Sequence, residues 1–236
     1  MLDLILPPRC AGCGRAGFLV CPVCTALLRG APSPRPPENP PPGLPECWAA
    51  AEYAGAVRRL LLAFKERGRV ALGPQLGGCL AATIAVALGE SRRALELVPV
   101  PSSPAVTCRR GHDPVRGMAA VAVRDLRGSG WPVTLAPVLR QRRRVADQAG
   151  LSAPERAANL AGGYVVSAGR VRPSGCPTAV LVDDVVTTGA TLAAAAAALR
   201  AAGVQAPIAV TVAATRKRVT ATRHARDDQN LVRDPR

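Results

Sequence analysis

Aromatic side chains are scarce in this chain. Its 236 residues hold two Trp, two Tyr and two Phe, 3% of the total. The apolar fraction is nonetheless 48%, so the core must be built from Ala, Val and Leu. The same scarcity leaves no visible aromatic platform for stacking bases, and no recognition-helix pattern is present. Lysine is also rare, so nearly all of the 31 basic residues are Arg, against 16 acids. A net charge of +15 and a pI near 11.0 describe a field that attracts polyanions, nucleic acid or pyrophosphate. A general compositional taste for Ala, Arg, Gly and Pro gives the same charge, and both readings stand. No run is expected to be apolar long enough to span a bilayer. Residues 1–6 are apolar but show no basic leader, long hydrophobic region or cleavage site, so a secretory signal is not expected. The expected location is the cytoplasm, where the eight cysteines would be thiols or metal ligands rather than disulfides.

What is present is concentrated in residues 178–203, TAVLVDDVVTTGATLAAAAAALRAAG. The apolar run Ala179-Val180-Leu181-Val182 reads as a buried strand of a parallel sheet. Two carboxylates follow, Asp183 and Asp184, and then a loop of small residues, Thr187-Thr188-Gly189-Ala190-Thr191. An alanine-rich helix follows, stopped by Gly203. A loop that opens a helix aims backbone N–H groups at one point, where the helix dipole favours an anion. Gly189 lets the chain close around a phosphate, and the threonines add hydroxyl donors. The two aspartates would repel that phosphate but can accept hydrogen bonds from neighbouring sugar hydroxyls. A diol beside a monophosphate is a ribose 5-phosphate. The string resembles the phosphoribosyl pyrophosphate (PRPP) signature of type I phosphoribosyltransferases. That resemblance implies that Asp183 and Asp184 hold the ribose 2- and 3-hydroxyls and that Val186, Thr187, Thr188, Gly189, Ala190 and Thr191 wrap the 5-phosphate.

Near the N-terminus, Cys10-Ala11-Gly12-Cys13 and Cys21-Pro22-Val23-Cys24 form two pairs with seven residues between them. Two such knuckles bring four thiolates to tetrahedral spacing for Zn²⁺, with Gly12, Gly14 and Gly17 letting the backbone curl. A redox site or an iron–sulfur cluster uses the same residue type, but redox CxxC motifs normally come singly at a helix start. Four sulfurs leave no open position, so the metal is expected to be structural and to provide the segment's folding energy. Residues 31–45, APSPRPPENPPPGLP, are expected to be a stiff, extended, poorly structured linker.

The rest alternates strand and helix. Strands are expected at 47–53, 95–101, 134–139 and 206–214, and helices at 57–67, 70–88 and 115–127. Ser152 and Glu155 stand at capping-box spacing. The expected fold class is α/β, a parallel sheet flanked by helices with a small N-terminal four-cysteine zinc module. The expected division is a zinc ribbon at 1–30, a linker at 31–45, the main domain at 46–214 and a frayed basic tail at 215–236.

Several landmarks fall in one order: the four-cysteine knuckle, Phe64-Lys65-Glu66-Arg67-Gly68, Val98-Pro99-Val100-Pro101, Arg109-Arg110-Gly111-His112-Asp113-Pro114, Gln148-Ala149-Gly150-Leu151-Ser152 with Glu155-Arg156 and Asn159-Leu160, and the TTGAT loop. This order is similar to the ComF family of double-zinc-ribbon, type I phosphoribosyltransferase-like proteins (the competence protein F or GntX type). The resemblance implies that Pro101, Ser102 and Ser103 belong to a pyrophosphate loop reaching Pro104. Residues 109–114 and 140–151 would be parts of a flexible hood over the substrate, with Arg109 and Arg110 the candidates for contact with pyrophosphate; those arginines also fit a solvated basic face. Mg²⁺ would accompany PRPP, bridging its diphosphate. Two functions follow from the resemblance: transfer of phosphoribosyl to an acceptor, or a non-catalytic DNA-handling role in competence and DNA uptake. In the second, the ribbon, Arg140 to Arg144 and Arg216 to Arg226 would face DNA or a DNA-processing protein, through phosphates and with steep salt dependence.

Overall fold

The computed structural model describes residues 7–102, 107–108, 111–141, 163–167 and 178–215. Expectations placed on Ser103, Arg109, Arg110, the 142–151 part of the hood, the Ser152 cap and the basic tail beyond Thr215 lie outside these residues.

The chain is α/β. In order it forms α1 (Pro22–Arg29), β1 (Ser33–Pro34), β2 (Glu46–Glu52), α2 (Gly55–Glu66), α3 (Gly73–Leu88), β3 (Leu95–Pro99), α4 (Pro114–Gly128), β4 (Val133–Leu135), β5 (Leu139–Gln141), β6 (Tyr164–Val166), β7 (Thr178–Val186), α5 (Ala190–Ala201) and β8 (Ile208–Ala214). The main sheet has the order β1-β2-β8-β7-β3-β4 and is parallel except for β1. β5 and β6 pair antiparallel as a separate ribbon.

Strand alternation divides the interior in two. On one face Val180, Val182, Val210 and Val212 pack with the buried residues of α1 to α4, among them Leu28, Leu60, Leu80 and Met118. On the other, Ala179, Leu181 and Ala209 pack with Leu192, Ala195, Ala196 and Leu199 of α5. Alanine on α5 leaves room for close approach to the sheet, which is how an aromatic-poor chain still fills its core.

The central strands and most helices lie where expected; four details differ. First, residues 31–45, expected to be extended and poorly structured, make specific contacts with the main sheet and α5. Ser33–Pro34 pairs with Trp48–Ala49 at the sheet edge, Pro37 and Pro45 are buried, and Arg200 donates to the Gly43 carbonyl at 3.0 Å. Proline's fixed φ suits an edge segment, where a missing N–H costs nothing. Second, the cysteine segment does not stand apart, because Cys10, Cys21, Cys24 and Leu28 share the core with α2 and α3. Third, the strand expected at 134–139 is two strands. β4 joins the main sheet and β5 leaves it, with Pro137 between them interrupting the ladder.

The fourth difference concerns apolar length. Val70–Leu88 covers 19 residues at a mean hydropathy of 1.6, enough by length and composition to cross a bilayer, contrary to expectation. It is a 3₁₀ turn, Val70–Leu72, followed by α3, with Pro74 in the first turn. Half of it is buried inside the fold, and Leu72, Leu76, Leu80 and Ile84 are at most 1% exposed. Its apolarity serves two buried sides, the sheet and α4. Gly77 sets how closely α4 comes, since a Cβ there would lie 2.4 Å from the Val121 Cβ and 2.7 Å from the Met118 carbonyl oxygen.

Candidate functional site

The connections set where a ligand can enter. From β3 the chain passes through α4 on one face and on to β4 at one side. From β7 it passes through α5 on the other face to β8, on the opposite side. The strand order therefore reverses between β3 and β7, and their carboxyl ends open a crevice there. Open parallel sheets bind ligands in such a crevice.

A cavity of about 340 Å³ occupies it. Asp183, Asp184, Val185 and Thr187 reach it from β7 and the following turn, and Thr191 from the first turn of α5. Val100, Pro101 and Ser102 come from beyond β3, and Val115 from α4. Lys65 of α2 and both of the chain's tyrosines, Tyr53 and Tyr164, complete the wall.

Strand geometry alone would send Asp183 and Asp184 to opposite faces, yet both line this cavity. The Asp184 amide donates to the Asp183 Oδ1 at 2.8 Å, and Asp184 Oδ2 lies 2.7 Å from the Lys65 ammonium. Asp184 is buried, 6% exposed, so this ion pair supplies the countercharge its burial demands. Asp183 is held well above the usual carboxylate range. Burial is the main cause and the adjacent Asp184 charge the next; Lys65 acts the other way. One acid is thus ion-paired while its neighbour tends to keep its proton, a combination that can both donate to and accept from hydroxyl groups. Burial, helped by the Asp183 charge, also holds the Tyr164 phenol above its ordinary value.

The TTGAT turn is only partly in the cavity. Thr187 and Thr191 line it, whereas Val186 is 2% exposed and belongs to the core beside α5. Thr188 is exposed, and its Oγ1 accepts from the Ala190 amide at 3.4 Å. Gly189 precedes α5 at φ 76, the left-handed region where glycine is unstrained. A Cβ there would also lie 2.9 Å from Leu44 and 3.1 Å from Pro37, so the proline-rich segment buttresses the turn from behind.

Pro101 and Ser102 line the same cavity as the two acids. His112 packs edge-on against Phe64, with ring centroids 6.1 Å apart. Arg140 donates to the Ser167 hydroxyl at 2.7 Å within the β5–β6 ribbon. Sequence reasoning missed Lys65, Tyr53 and Tyr164 as cavity residues. Tyr53 directly follows β2, so the rule that ligands gather at strand carboxyl ends would have found it. Lys65 was marked only as part of the FKERG segment, and Tyr164 carried no signal.

The second assembly is the knuckle. The sulfurs of Cys10, Cys13, Cys21 and Cys24 all lie within 4.8 Å of one another. Four thiolates around Zn²⁺ at about 2.3 Å stand roughly 3.8 Å apart; Cys13 and Cys21 are already at 3.5 Å. The Cys21 amide donates to Cys10 Sγ at 3.3 Å. Burial opposes ionisation of Cys10, but backbone donation from Cys21, Cys13 and Gly12 outweighs it and brings that thiol down to about 6. Gly14 and Gly17 sit at φ 82 and 88, and a Cβ on Gly12 would lie 2.8 Å from the Cys24 sulfur. The four residues are thus compatible with a structural zinc, which they would hold through sulfur alone. Of the other cysteines, Cys47 and Cys79 are buried, which pushes their thiols up to about 11 and about 12.

No protein-family model matches this chain, and no curated protein matches it.

Proposed function

We propose that the crevice between β3 and β7 binds PRPP or a related ribose 5-phosphate ligand, and that the chain is a phosphoribosyltransferase-like protein of the ComF type. The observation that carries this reading is the meeting of Asp183, Asp184, Thr187 and Thr191 with Pro101 and Ser102 in one cavity at the reversal of strand order. In this reading Asp183 and Asp184 engage the ribose hydroxyls, and Asp183 can donate where a carboxylate could only accept. The turn from Thr187 into α5 receives the 5-phosphate, with the Thr187 and Thr191 hydroxyls as donors. Pro101 and Ser102 flank the diphosphate.

Departure of pyrophosphate leaves an oxocarbenium-like sugar, so the chain needs no nucleophile of its own; it must hold the ribose and limit water. Mg²⁺ carried with the diphosphate would supply charge neutralisation. Lys65, by engaging Asp184, keeps the acid pair from repelling the ligand's phosphates.

Calorimetric titration with PRPP tests the proposal. Wild type should bind, and Asp183→Asn/Asp184→Asn should weaken binding at least tenfold, the loss of one or two charge-assisted hydrogen bonds. Equal affinity in both would sink the assignment. Pyrophosphate release in the presence of bases and amines then separates transfer to an acceptor from binding without turnover.

A further inference from the structure

A second cavity, of about 420 Å³, lies where the cysteine knuckle meets the C-terminal half of α2. It shares no residue with the β3–β7 crevice. Four arginines line it, Arg9, Arg59, Arg67 and Arg69, together with Ala63 and the knuckle backbone from Cys10 to Gly14. Among the described residues no carboxylate lines it.

The placement follows from local structure. Arg59 and Ala63 lie four residues apart on one side of α2, and Arg67, the residue that caps it, follows at the same spacing. Gly68, at φ 63, turns the chain so that Arg69 returns to the same place. Arg9 directly precedes the first knuckle cysteine. The dipole at the end of α2 favours a cation near Arg67, but it does not account for four. Two of the guanidinium groups are anchored: Arg59 Nε donates to the Gly12 carbonyl, and Arg69 Nη1 donates to the Arg9 carbonyl at 3.2 Å. A guanidinium carries five N–H donors in a planar fork, so one bond to a carbonyl orients it and leaves others to share. Four like charges around one cavity repel each other unless an anion sits among them. Planar forks of this kind match the oxygens of a phosphate group in pairs.

We propose that this cavity is an oxyanion site that takes a phosphate group, either from a nucleic-acid backbone or as free inorganic phosphate. It is independent of any ligand in the β3–β7 crevice. Arg59 and Arg69 form its floor by clamping the knuckle to α2, and Arg9 and Arg67 supply the remaining donors.

Residue-resolved arginine modification by phenylglyoxal, read by peptide mass spectrometry on the full chain, tests it. One arm adds inorganic phosphate and the other a 12-nucleotide single-stranded DNA. Arg9 and Arg67 should be protected at least about threefold relative to Arg93, an exposed arginine outside the cavity. Protection by phosphate alone identifies the free anion as the ligand; protection by DNA, falling steeply with salt, identifies a backbone phosphate. Arg67→Ala should abolish the protection of Arg9 while leaving zinc content unchanged, which shows the knuckle intact. Asp183→Asn/Asp184→Asn should leave protection untouched, so failure here is distinct from failure of the ribose phosphate proposal. Arg93 protected as strongly as Arg9 and Arg67, or no protection in either arm, overturns the site.

Discussion

The Lys65 ammonium stands 2.7 Å from a carboxylate oxygen of Asp184, and only 8% of that aspartate side chain is exposed against 27% of the lysine. The pair ties the end of α2 to the carboxyl end of β7, and both residues line the cavity. Asp184 would otherwise be a buried charge near the carboxyl end of a strand whose residues 179–182 are all aliphatic. Lys65 also favours the ionised form of Asp183, but burial and the Asp184 charge outweigh it.

Lys65→Met is therefore expected to destabilise the protein by about 2 kcal/mol, because Asp184 is left buried without its cation. Adding Asp184→Asn should recover part of the loss. Urea denaturation of the two variants checks this; no loss in the single variant would mean that the pair contributes no more than an exposed one.

Asp183 gives stability a pH dependence whose sign can be worked out. Its folded-state proton affinity is raised, so the native chain keeps a proton that the unfolded chain releases above about pH 4. Stability from this group is full below that pH and declines as pH rises toward the folded-state value. Each pH unit crossed before Asp183 ionises costs the native state about 1.4 kcal/mol. Asp183→Asn lacks this titration and should gain on wild type as pH rises above about 4 in paired denaturation curves. Parallel curves would contradict the assignment.

Gly77 predicts a packing cost unrelated to the cavity. Gly77→Ala puts a methyl 2.4 Å from the Val121 Cβ and 2.7 Å from the Met118 carbonyl, so α3 and α4 must separate. Helix propensity favours Ala by about 1 kcal/mol, but overpacking of this kind costs about 1–3 kcal/mol. The melting temperature should fall, with partial recovery in Gly77→Ala/Val121→Ala. A rise would show that the crossing yields easily.

The knuckle predicts a metal. Elemental analysis of purified protein should find zinc near one equivalent per chain. Cys21→Ser should lose it together with cooperative melting of α1 and α2, because Cys10, Cys21 and Cys24 lie in the same core as Leu60 and Phe64. Cys108→Ser, at an exposed thiol, should change neither reading.

Much of this was legible in the chain. Ala179 to Val182 could only be a doubly covered strand, because residues of both parities are apolar. The acid pair and the four cysteines were legible too, since a run of acids after a strand and two CxxC pairs are local patterns. What lay beyond reach came from non-local contact. The proline segment looked like a spacer because, beside its prolines, its apolar content is only Ala31 and Leu44. Its partners, the sheet edge and the turn at Gly189, lie far along the sequence. Val70–Leu88 carries an apolar signal that cannot distinguish burial by lipid from burial by sheet and helix. Val185, and not Val186, lines the cavity because alternation breaks at the acid pair: Val180 and Val182 share one core, whereas Val186 falls in the other with Ala179 and Leu181.

By itself, then, the order of residues determined the elements, the acid pair, the hydroxyl-rich turn and the four sulfurs, all of them features encoded within a few positions of one another. The tertiary structure decided that β3 and β7 would be neighbours at a reversal of strand order, that Lys65 would meet Asp184 there, and that four arginines would converge on the knuckle. Those relations depend on how the chain crosses over its sheet, a property of packing across long separations that no local pattern carries.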